Sequence, residues 1–200
     1  VYVVRFIAHP NFFISVFLLL FKFNGYFSFS LNLKNMRNSV ALIVFIFVST
    51  SVQAQKNKFN LLIGTYTTKC DSKGIYVYDF DSNTGHFSFK NATESVINPS
   101  FLTVSADSKY IYAVNENGDK SMVSSFTYAP STGKMDFINK QSAQGADPCY
   151  IINDDTNVIV ANYSSGNISV FGKNNDGSIT EAQQVIQNYG NANNPYKKQV

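Results

Sequence analysis

The chain has 200 residues, with 16 basic residues, 13 acidic residues, two cysteines and a formal charge of +3. Residues 1–54 contain four basic residues and no acidic one, whereas residues 55–200 contain 12 lysines and 13 acidic residues and carry a charge of −1. A near-neutral segment is unsuited to nucleic acid, because phosphate binding needs a cationic face. Two cysteines exclude a disulfide-dense scaffold and a four-cysteine zinc site.

Residues 36–54 have the three parts of a secretory signal peptide. Met36-Arg37-Asn38 supplies a positive start, and Val40 to Val48 form an apolar run. The small residues Val52 and Ala54 then precede Gln55, as at a cleavage site. The apolar run is shorter than the roughly 20 residues that span a bilayer. We therefore expect export to the periplasm or the extracellular space and no membrane attachment after processing.

Residues 1–35 precede this predicted signal peptide and contain an apolar stretch from Phe12 to Phe23. One interpretation is a short membrane anchor. The other is an upstream extension translated in frame, with Met36 as the true start. The second is favoured because a signal peptide acts from the amino terminus, and we leave residues 1–35 out of the fold prediction.

From Asn60 onward, apolar residues alternate with a period of two. Runs rich in β-branched and aromatic residues, such as Ile75–Phe80 and Tyr110–Val114, have the length of strands. Clusters of Asp, Asn, Ser and Gly separate them and favour tight turns. No window supports a long amphipathic helix, so we predict an all-β fold.

The predicted strands recur as a unit. Pro99-Ser100-Phe101 and Pro148-Cys149-Tyr150 are 49 residues apart, and Asn115 and Asn162 are 47 apart. Four short strands in a period of 45–50 residues are typical of a β-propeller blade. The predicted strands are 59–65, 74–80 and 86–90 in the first unit, which lacks its leading strand; 101–105, 110–115, 122–128 and 134–140 in the second; and 150–153, 158–162, 167–171 and 178–185 in the third.

Residues 55–200 hold about three such blades, whereas propellers close with about four to eight. We therefore expect this sequence to be the amino-terminal part of a longer protein that is truncated after Val200. The far end of the longer chain is expected to supply the missing leading strand of the first blade.

Several motifs in these repeats are similar to one known family. Ile63–Thr67 followed by Gly74–Tyr78 resembles the opening of the 6-phosphogluconolactonase (lactonase) family of seven-bladed β-propellers. Further similar motifs are Tyr112–Glu116, Asp147–Cys149, Ala161–Tyr163 and Gly166–Val170. The WD-repeat signature is absent, since the chain has no Trp. The resemblance covers residues 59–200.

This resemblance implies a seven-bladed ring that hydrolyses the δ-lactone of 6-phosphogluconate or a related sugar lactone, as in pentose-phosphate carbohydrate metabolism. A secretory leader differs from a cytosolic setting, which leaves phosphorylated and free lactones as alternatives. A muconate-cyclase-like lactone isomerase and a non-catalytic propeller that binds a ligand or protein also stay open. We expect no cofactor, a monomer at full length, and an inactive fragment, since the family's histidine and arginine would lie beyond Val200.

Topology gives the candidate site. In a four-stranded blade the loops after the second strand and the links between blades share one face, and this face suits a binding mouth. Glu116 is the candidate for water activation. Asn115 and Asn162 are candidates for binding the substrate through their amides, and Tyr66 and Tyr163 for stacking or hydrogen bonding. The alternatives are a solvated loop acid, strand-end turn formers and ordinary strand aromatics.

We predict no catalytic or metal site at the other reactive residues. His86 is the only histidine of residues 55–200 and follows a turn, so we expect no catalytic triad and no metal site. Asp154-Asp155 resembles a metal pair but is predicted to form a turn. Cys70 and Cys149 could pair after export or remain apart.

Overall fold

The computed structural model of the protein describes residues 3–7 and 57–189. All of the regular secondary structure in these residues is β-strand. The predicted signal peptide at 36–54 lies outside the described residues, as do residues 190–200. Across the described part of the chain, there is no helix with the length and apolarity needed to cross a membrane.

Twelve strands form three four-stranded antiparallel sheets, each connected as a meander. The first sheet contains β1 (Val3–Ile7), β2 (Lys58–Gly64), β3 (Ile75–Asp81) and β4 (Phe87–Ala92). The second contains β5 (Leu102–Val104), β6 (Tyr110–Asn115), β7 (Met122–Ala129) and β8 (Lys134–Ser142). The third contains β9 (Pro148–Asn153), β10 (Asn157–Asn162), β11 (Asn167–Lys173) and β12 (Ile179–Gln187). The predicted all-β fold of four-stranded antiparallel units is confirmed.

The strand β1 fills the edge position that the sequence left empty in the first unit. It pairs antiparallel with β2 over five residue pairs, from Val3 opposite Gly64 to Ile7 opposite Asn60. Our fold prediction had excluded this segment. An edge strand presents unpaired backbone groups, and a segment rich in β-branched residues can complete its hydrogen-bond ladder.

The hydrophobic core lies between successive sheets, because the second sheet buries both of its faces. Ile111 and Ala113 of β6 pack with Leu62 and Ile75 of the first sheet. The alternate residues of β6 face the other way, and there Tyr112, Val114 and Val123 pack with Val158, Val160 and Phe171 of the third sheet. Because side chains alternate with a period of two, the second sheet packs one face on the first sheet and the other face on the third, as in the blades of a propeller.

The outer faces of the first and third sheets are apolar and exposed. Phe87 and Phe89 of β4 are 56% and 63% exposed, and both contact the ring of Tyr78 edge-on. On the third sheet, Tyr150 and Ile152 are each 47% exposed. Such faces are the surfaces that neighbouring blades cover in a closed ring.

Candidate functional site

Loops from all three sheets converge on one cavity of about 170 Å³. Its lining residues come from the loop after β2, the link before β5, the residue after β6, the link before β9, the second residue of β9 and the residue after β10. They are Tyr66, Ser100, Phe101, Glu116, Asp147, Cys149 and Tyr163. In a meander, loops that follow every second strand reach the same edge of the sheets. The topology therefore brings together three predicted residues, Tyr66, Glu116 and Tyr163.

Glu116 is held at this cavity by two hydroxyl groups. The Tyr66 hydroxyl donates to Glu116 Oε2 at 2.6 Å. The Ser100 hydroxyl, which is buried, donates to Glu116 Oε1. A carboxylate has about four acceptor positions, and these two hydrogen bonds occupy one on each oxygen. These two hydrogen bonds fix the orientation of the carboxylate.

Tyr66 remains a hydrogen-bond donor over the physiological pH range. Burial raises the pKa of its phenol to about 12, helped by the hydrogen bond to Glu116 and by the charges of Glu116 and Asp147. Each of these causes disfavours the phenolate. Tyr66 is 39% exposed and lines the cavity.

Asn98, in the link between β4 and β5, ties the loops of Tyr66 and Glu116 together. Its Oδ1 accepts from the backbone N–H groups of Thr67 at 2.9 Å and Thr68 at 3.0 Å. Its Nδ2 donates to the Glu116 carbonyl oxygen at 2.8 Å, and its carbonyl accepts the Glu116 N–H at 3.1 Å. Asn98 has a left-handed φ of 40°, a conformation that asparagine tolerates better than most residues.

Asp147 has the corresponding place in the link before β9. It also has a left-handed φ, of 51°. Its Oδ1 accepts the Gly118 N–H at 3.1 Å, and its Oδ2 accepts the Ser164 hydroxyl at 2.6 Å. Its carbonyl accepts the Tyr163 N–H at 3.0 Å. Each link thus fastens the loop of the preceding blade to the loop of its own blade.

A close backbone approach explains the glycine at the end of β2. A Cβ added to Gly64 would overlap the carbonyl oxygen of Pro99, which follows Asn98 in the link. Only glycine lets the start of the loop that carries Tyr66 lie directly against this link.

The structure gives Asn115 and Asn162 partners inside the blades. Asn115 is 5% exposed; its Nδ2 donates to the Ile97 carbonyl at 2.8 Å, and its Oδ1 accepts the Ser124 hydroxyl at 2.5 Å. Asn162 is 3% exposed and donates to the Ala143 carbonyl at 3.1 Å. Neither residue lines the cavity with Glu116. Each is the last residue of its strand, and the pleat turns the following residue, rather than the asparagine, toward the cavity.

Four lining residues were not among the predicted site residues, although the links that carry them were predicted to lie on this face: Ser100, Phe101, Asp147 and Cys149. The repeat contained a signal for two of them, because Ser100 and Cys149 follow the equivalent prolines 99 and 148. Phe101 packs its ring against Tyr150, with centroids 4.9 Å apart.

The two cysteines are separate free thiols, and both are exposed. Burial and the charge of Glu116 raise the pKa of the Cys149 thiol, which therefore stays neutral beside the carboxylate. The Asp154-Asp155 pair forms the predicted turn, in which Asp154 Oδ1 accepts the N–H groups of Thr156 and Asn157 at 2.8 and 2.7 Å. No cluster of three or more metal-ligating side chains occurs in residues 57–189.

A second cavity, of about 330 Å³, is larger but lacks a carboxylate. Residues 95–97 and Asn115 line it, together with apolar side chains of the second sheet such as Met122 and Phe137 and the two lysines Lys120 and Lys140. It offers no group that could take a proton from water, so we place the candidate site at the smaller cavity.

Comparisons with known proteins agree with this architecture. The family model described as "Lactonase, 7-bladed beta-propeller" matches residues 60–200. The 6-phosphogluconolactonase of Bacillus subtilis is 30% identical over 119 residues, which are 58% of this chain and 34% of that protein. The 6-phosphogluconolactonase of Formosa agariphila is 29% identical over 63% of this chain and 37% of its own.

Two solved structures are also similar. A candidate 6-phosphogluconolactonase of Bacteroides fragilis has a TM-score of 0.65 and 40% identity, over 69% of this chain and 38% of its own. The periplasmic gluconolactonase of Pseudomonas aeruginosa has a TM-score of 0.63 and 30% identity, over 70% and 41%. The chain thus spans about a third of the length of the curated relatives that it matches. It belongs to the lactonase family of seven-bladed β-propellers.

Proposed function

We propose that the intact protein hydrolyses a sugar δ-lactone and that Glu116 activates the water. The observation that carries this proposal is the fixed carboxylate of Glu116 at a cavity built by three blades, with Tyr66 and Ser100 each donating to one of its oxygens. Family membership and the relatives named 6-phosphogluconolactonase support the reaction class.

The proposed reaction needs a base, a water and a ring ester. Glu116 takes a proton from the water, whose oxygen bonds to the lactone carbonyl carbon. The bond from that carbon to the ring oxygen then breaks, and the ring oxygen receives the proton from Glu116 to become a hydroxyl. Tyr66 and Ser100 hold the carboxylate during both transfers. Tyr163, which is 60% exposed, offers a ring face to the sugar.

Asn115 and Asn162 have a smaller part in this proposal than the sequence suggested, because their amides already hold the links. We propose that they support substrate binding by fixing the strand ends from which Glu116 and Tyr163 project. The histidine and arginine that the family resemblance expects beyond Val200 would complete the site.

Replacement of the base tests the proposal. Glu116→Gln in the intact protein should lower kcat for δ-lactone hydrolysis by about 10²–10⁴-fold, the usual contribution of a positioned base. Rates on free and 6-phosphorylated gluconolactone are corrected for spontaneous opening. Glu94→Gln removes an exposed glutamate outside the cavity and should leave kcat unchanged.

An unchanged rate in Glu116→Gln would remove Glu116 from the mechanism. Sugar binding by the wild-type protein without turnover of either lactone would favour the binding propeller. Consumption of a lactone without release of an acid would favour the lactone isomerase.

We further propose that residues 36–54 direct export of the protein. The processed protein then lacks β1, and the far end of the intact chain takes the place of β1 beside β2. The similarity to a periplasmic gluconolactonase of Pseudomonas aeruginosa supports this location. Fractionation of cells that produce the protein from Met36, followed by amino-terminal sequencing, should yield a non-cytoplasmic protein that begins at Gln55. A cytoplasmic product that retains residues 36–54 would contradict this proposal.

A further inference from the structure

The larger cavity, of about 330 Å³, is separate from the candidate active site. Residues 95–97 of the link between β4 and β5 form one wall, and the end of β6, the β6–β7 loop, β7 and β8 form the other. The two cavities have no lining residue in common. Every lining residue of the larger cavity belongs to the second sheet or to the link before it, and the sheets on both sides of the second sheet are described. Because a blade packs against its two neighbours, this lining does not depend on blades beyond Val200.

The cavity is open because β4 ends beside the beginning of β8. Near the end of β4, Asn91 Nδ2 donates to the Thr132 carbonyl at 3.4 Å, and Lys90 Nζ donates to the Pro130 carbonyl at 3.0 Å. Both carbonyls lie in the turn that precedes β8. The strand β8 then continues for nine residues, whereas β4 ends one residue after Asn91. The first sheet therefore leaves the later half of β8 uncovered.

The uncovered part of β8 contributes an aromatic ring and a lysine to the cavity. Phe137 lies opposite Phe126 of β7, and Lys140 lies opposite Ser124. Cross-strand partners share one face of a sheet, and Phe126 packs in the core that faces the first sheet. Phe137 is nevertheless 58% exposed, and Ile97 in the link is 56% exposed. Two large apolar side chains therefore face solvent at the walls of one cavity.

The charged residues that line this cavity are both lysines. Lys120 of the β6–β7 loop and Lys140 are exposed, and neither Nζ has a hydrogen bond or an ion pair with the described part of the chain. Glu94 and Asp119 adjoin lining residues in the sequence but lie outside the lining. Unpaired ammonium groups beside apolar side chains are complementary to a molecule with an acidic group on an apolar body.

We propose that this cavity binds a small organic anion with an apolar body, such as an aromatic carboxylate. The acidic group contacts Lys120 and Lys140, and the apolar body packs on Phe137, Met122 and Ile97. The volume falls within the roughly 300–1,000 Å³ of pockets that bind small molecules, which favours such a ligand over a protein segment. The proposed lactone hydrolysis uses none of these residues, so the two proposals are independent.

Calorimetric titration of the intact protein with two naphthalene probes tests the site. Naphthalene-2-carboxylate has an acidic group, and naphthalene-2-methanol has the same ring without a charge. The carboxylate should bind about tenfold more tightly, the combined size of two partly exposed ion pairs. The double variant Lys120→Gln/Lys140→Gln should lose this preference. The double variant Lys58→Gln/Lys134→Gln removes the same charge from exposed lysines outside the cavity and should keep it.

A second variant tests the apolar wall. Phe137→Ser should weaken the binding of both probes about tenfold, because the ligand loses the apolar surface of the ring. Tyr189→Ser removes an aromatic ring that is 90% exposed and outside the cavity, and it should leave the affinity for both probes unchanged.

Equal binding of the two probes by the wild-type protein would overturn the recognition of an acidic group. Carboxylate binding that persists without Lys120 and Lys140 would overturn the location. In that case Glu116→Gln shows whether the probe occupies the candidate active site, because loss of that negative charge would tighten its binding there. Failure of both probes to bind at millimolar concentration would overturn the whole proposal. None of these outcomes depends on whether the protein hydrolyses a lactone.

Discussion

Tyr66 and Glu116 lie 50 residues apart in the sequence and 2.6 Å apart at their polar atoms. Both were predicted to lie on one face, because the strand topology determines where the loops emerge. The prediction gave both Asn115 and Glu116 a place in the site, Asn115 for substrate binding and Glu116 for water activation, but only Glu116 lines the cavity. Only the pleat decides which of them turns toward the cavity, and a shift of one residue in the strand end would have exchanged their roles.

Tyr66→Phe removes the donor to Glu116 Oε2 and keeps the aromatic ring. We expect kcat to fall by about 10- to 100-fold, since a hydrogen bond to a charged group contributes about 1.5–3 kcal/mol. KM should change less, because the ring face remains. Tyr189→Phe alters a tyrosine that is 90% exposed and serves as the control.

The same variant gives a prediction for pH dependence. The pKa of Tyr66 is raised to about 12, so its hydroxyl stays protonated and can donate at every pH well below that value. The ratio of wild-type to Tyr66→Phe activity should therefore be constant between about pH 6 and pH 9, where rates are measured against spontaneous opening. A wild-type advantage that disappears as pH rises through this range would contradict the assignment of Tyr66 as a protonated donor.

The links between the sheets position the loops of the site through side-chain hydrogen bonds that the sequence did not predict. Proline and a turn-forming residue at 98–99 and 147–148 marked them as links, and the 49-residue spacing marked them as equivalent. Their side-chain hydrogen bonds were not predictable, because the partners of Asn98 lie about 30 residues before it and 18 after it. The strands, in contrast, depend on local alternation, and their predicted bounds agree with the structure to within a few residues.

Two substitutions separate the stability that comes from the side-chain hydrogen bonds of Asn98 from the stability that comes from its left-handed backbone. Asn98→Gly retains the left-handed backbone but leaves the Thr67 and Thr68 N–H groups without their acceptor. We expect a loss of about 1–3 kcal/mol in the free energy of unfolding. Asn98→Ala should cost about 1–2 kcal/mol more, because alanine is disfavoured at a φ of 40°. Denaturant unfolding of the intact protein measures both, and equal losses would exclude a backbone contribution.

At the scale of the molecule, the sequence predicted three blade-like units, and the described residues form three antiparallel sheets. The unit that was incomplete in sequence is completed by β1, which the prediction did not use. A five-residue segment with no repeat partner offers little signal, because its strand pairing is decided by the open edge of β2 rather than by its own pattern. The apolar outer faces, however, follow directly from the period of two on both terminal sheets.

Those outer faces predict the behaviour of a polypeptide that contains only residues 55–200. Exposed Phe87, Phe89, Tyr150 and Ile152 should cause concentration-dependent self-association, visible by light scattering. Replacing Phe87 and Phe89 by serine should reduce it, whereas the same change at the exposed pair Lys134 and Asp136 should not. A monomer with a cooperative thermal transition would show that these faces need no cover.

The hydrogen bonds that Asn98 and Asp147 make from the links between blades limit how new specificities can evolve in this fold. Each of these residues holds loops that belong to two successive repeats. A blade that is duplicated or exchanged as a unit would therefore lose the hydrogen bonds that its functional loop makes with the neighbouring link. New specificities in this architecture should arise by point changes at the cavity wall, with whole-repeat recombination tolerated only where donor and recipient share the residue before the linking proline.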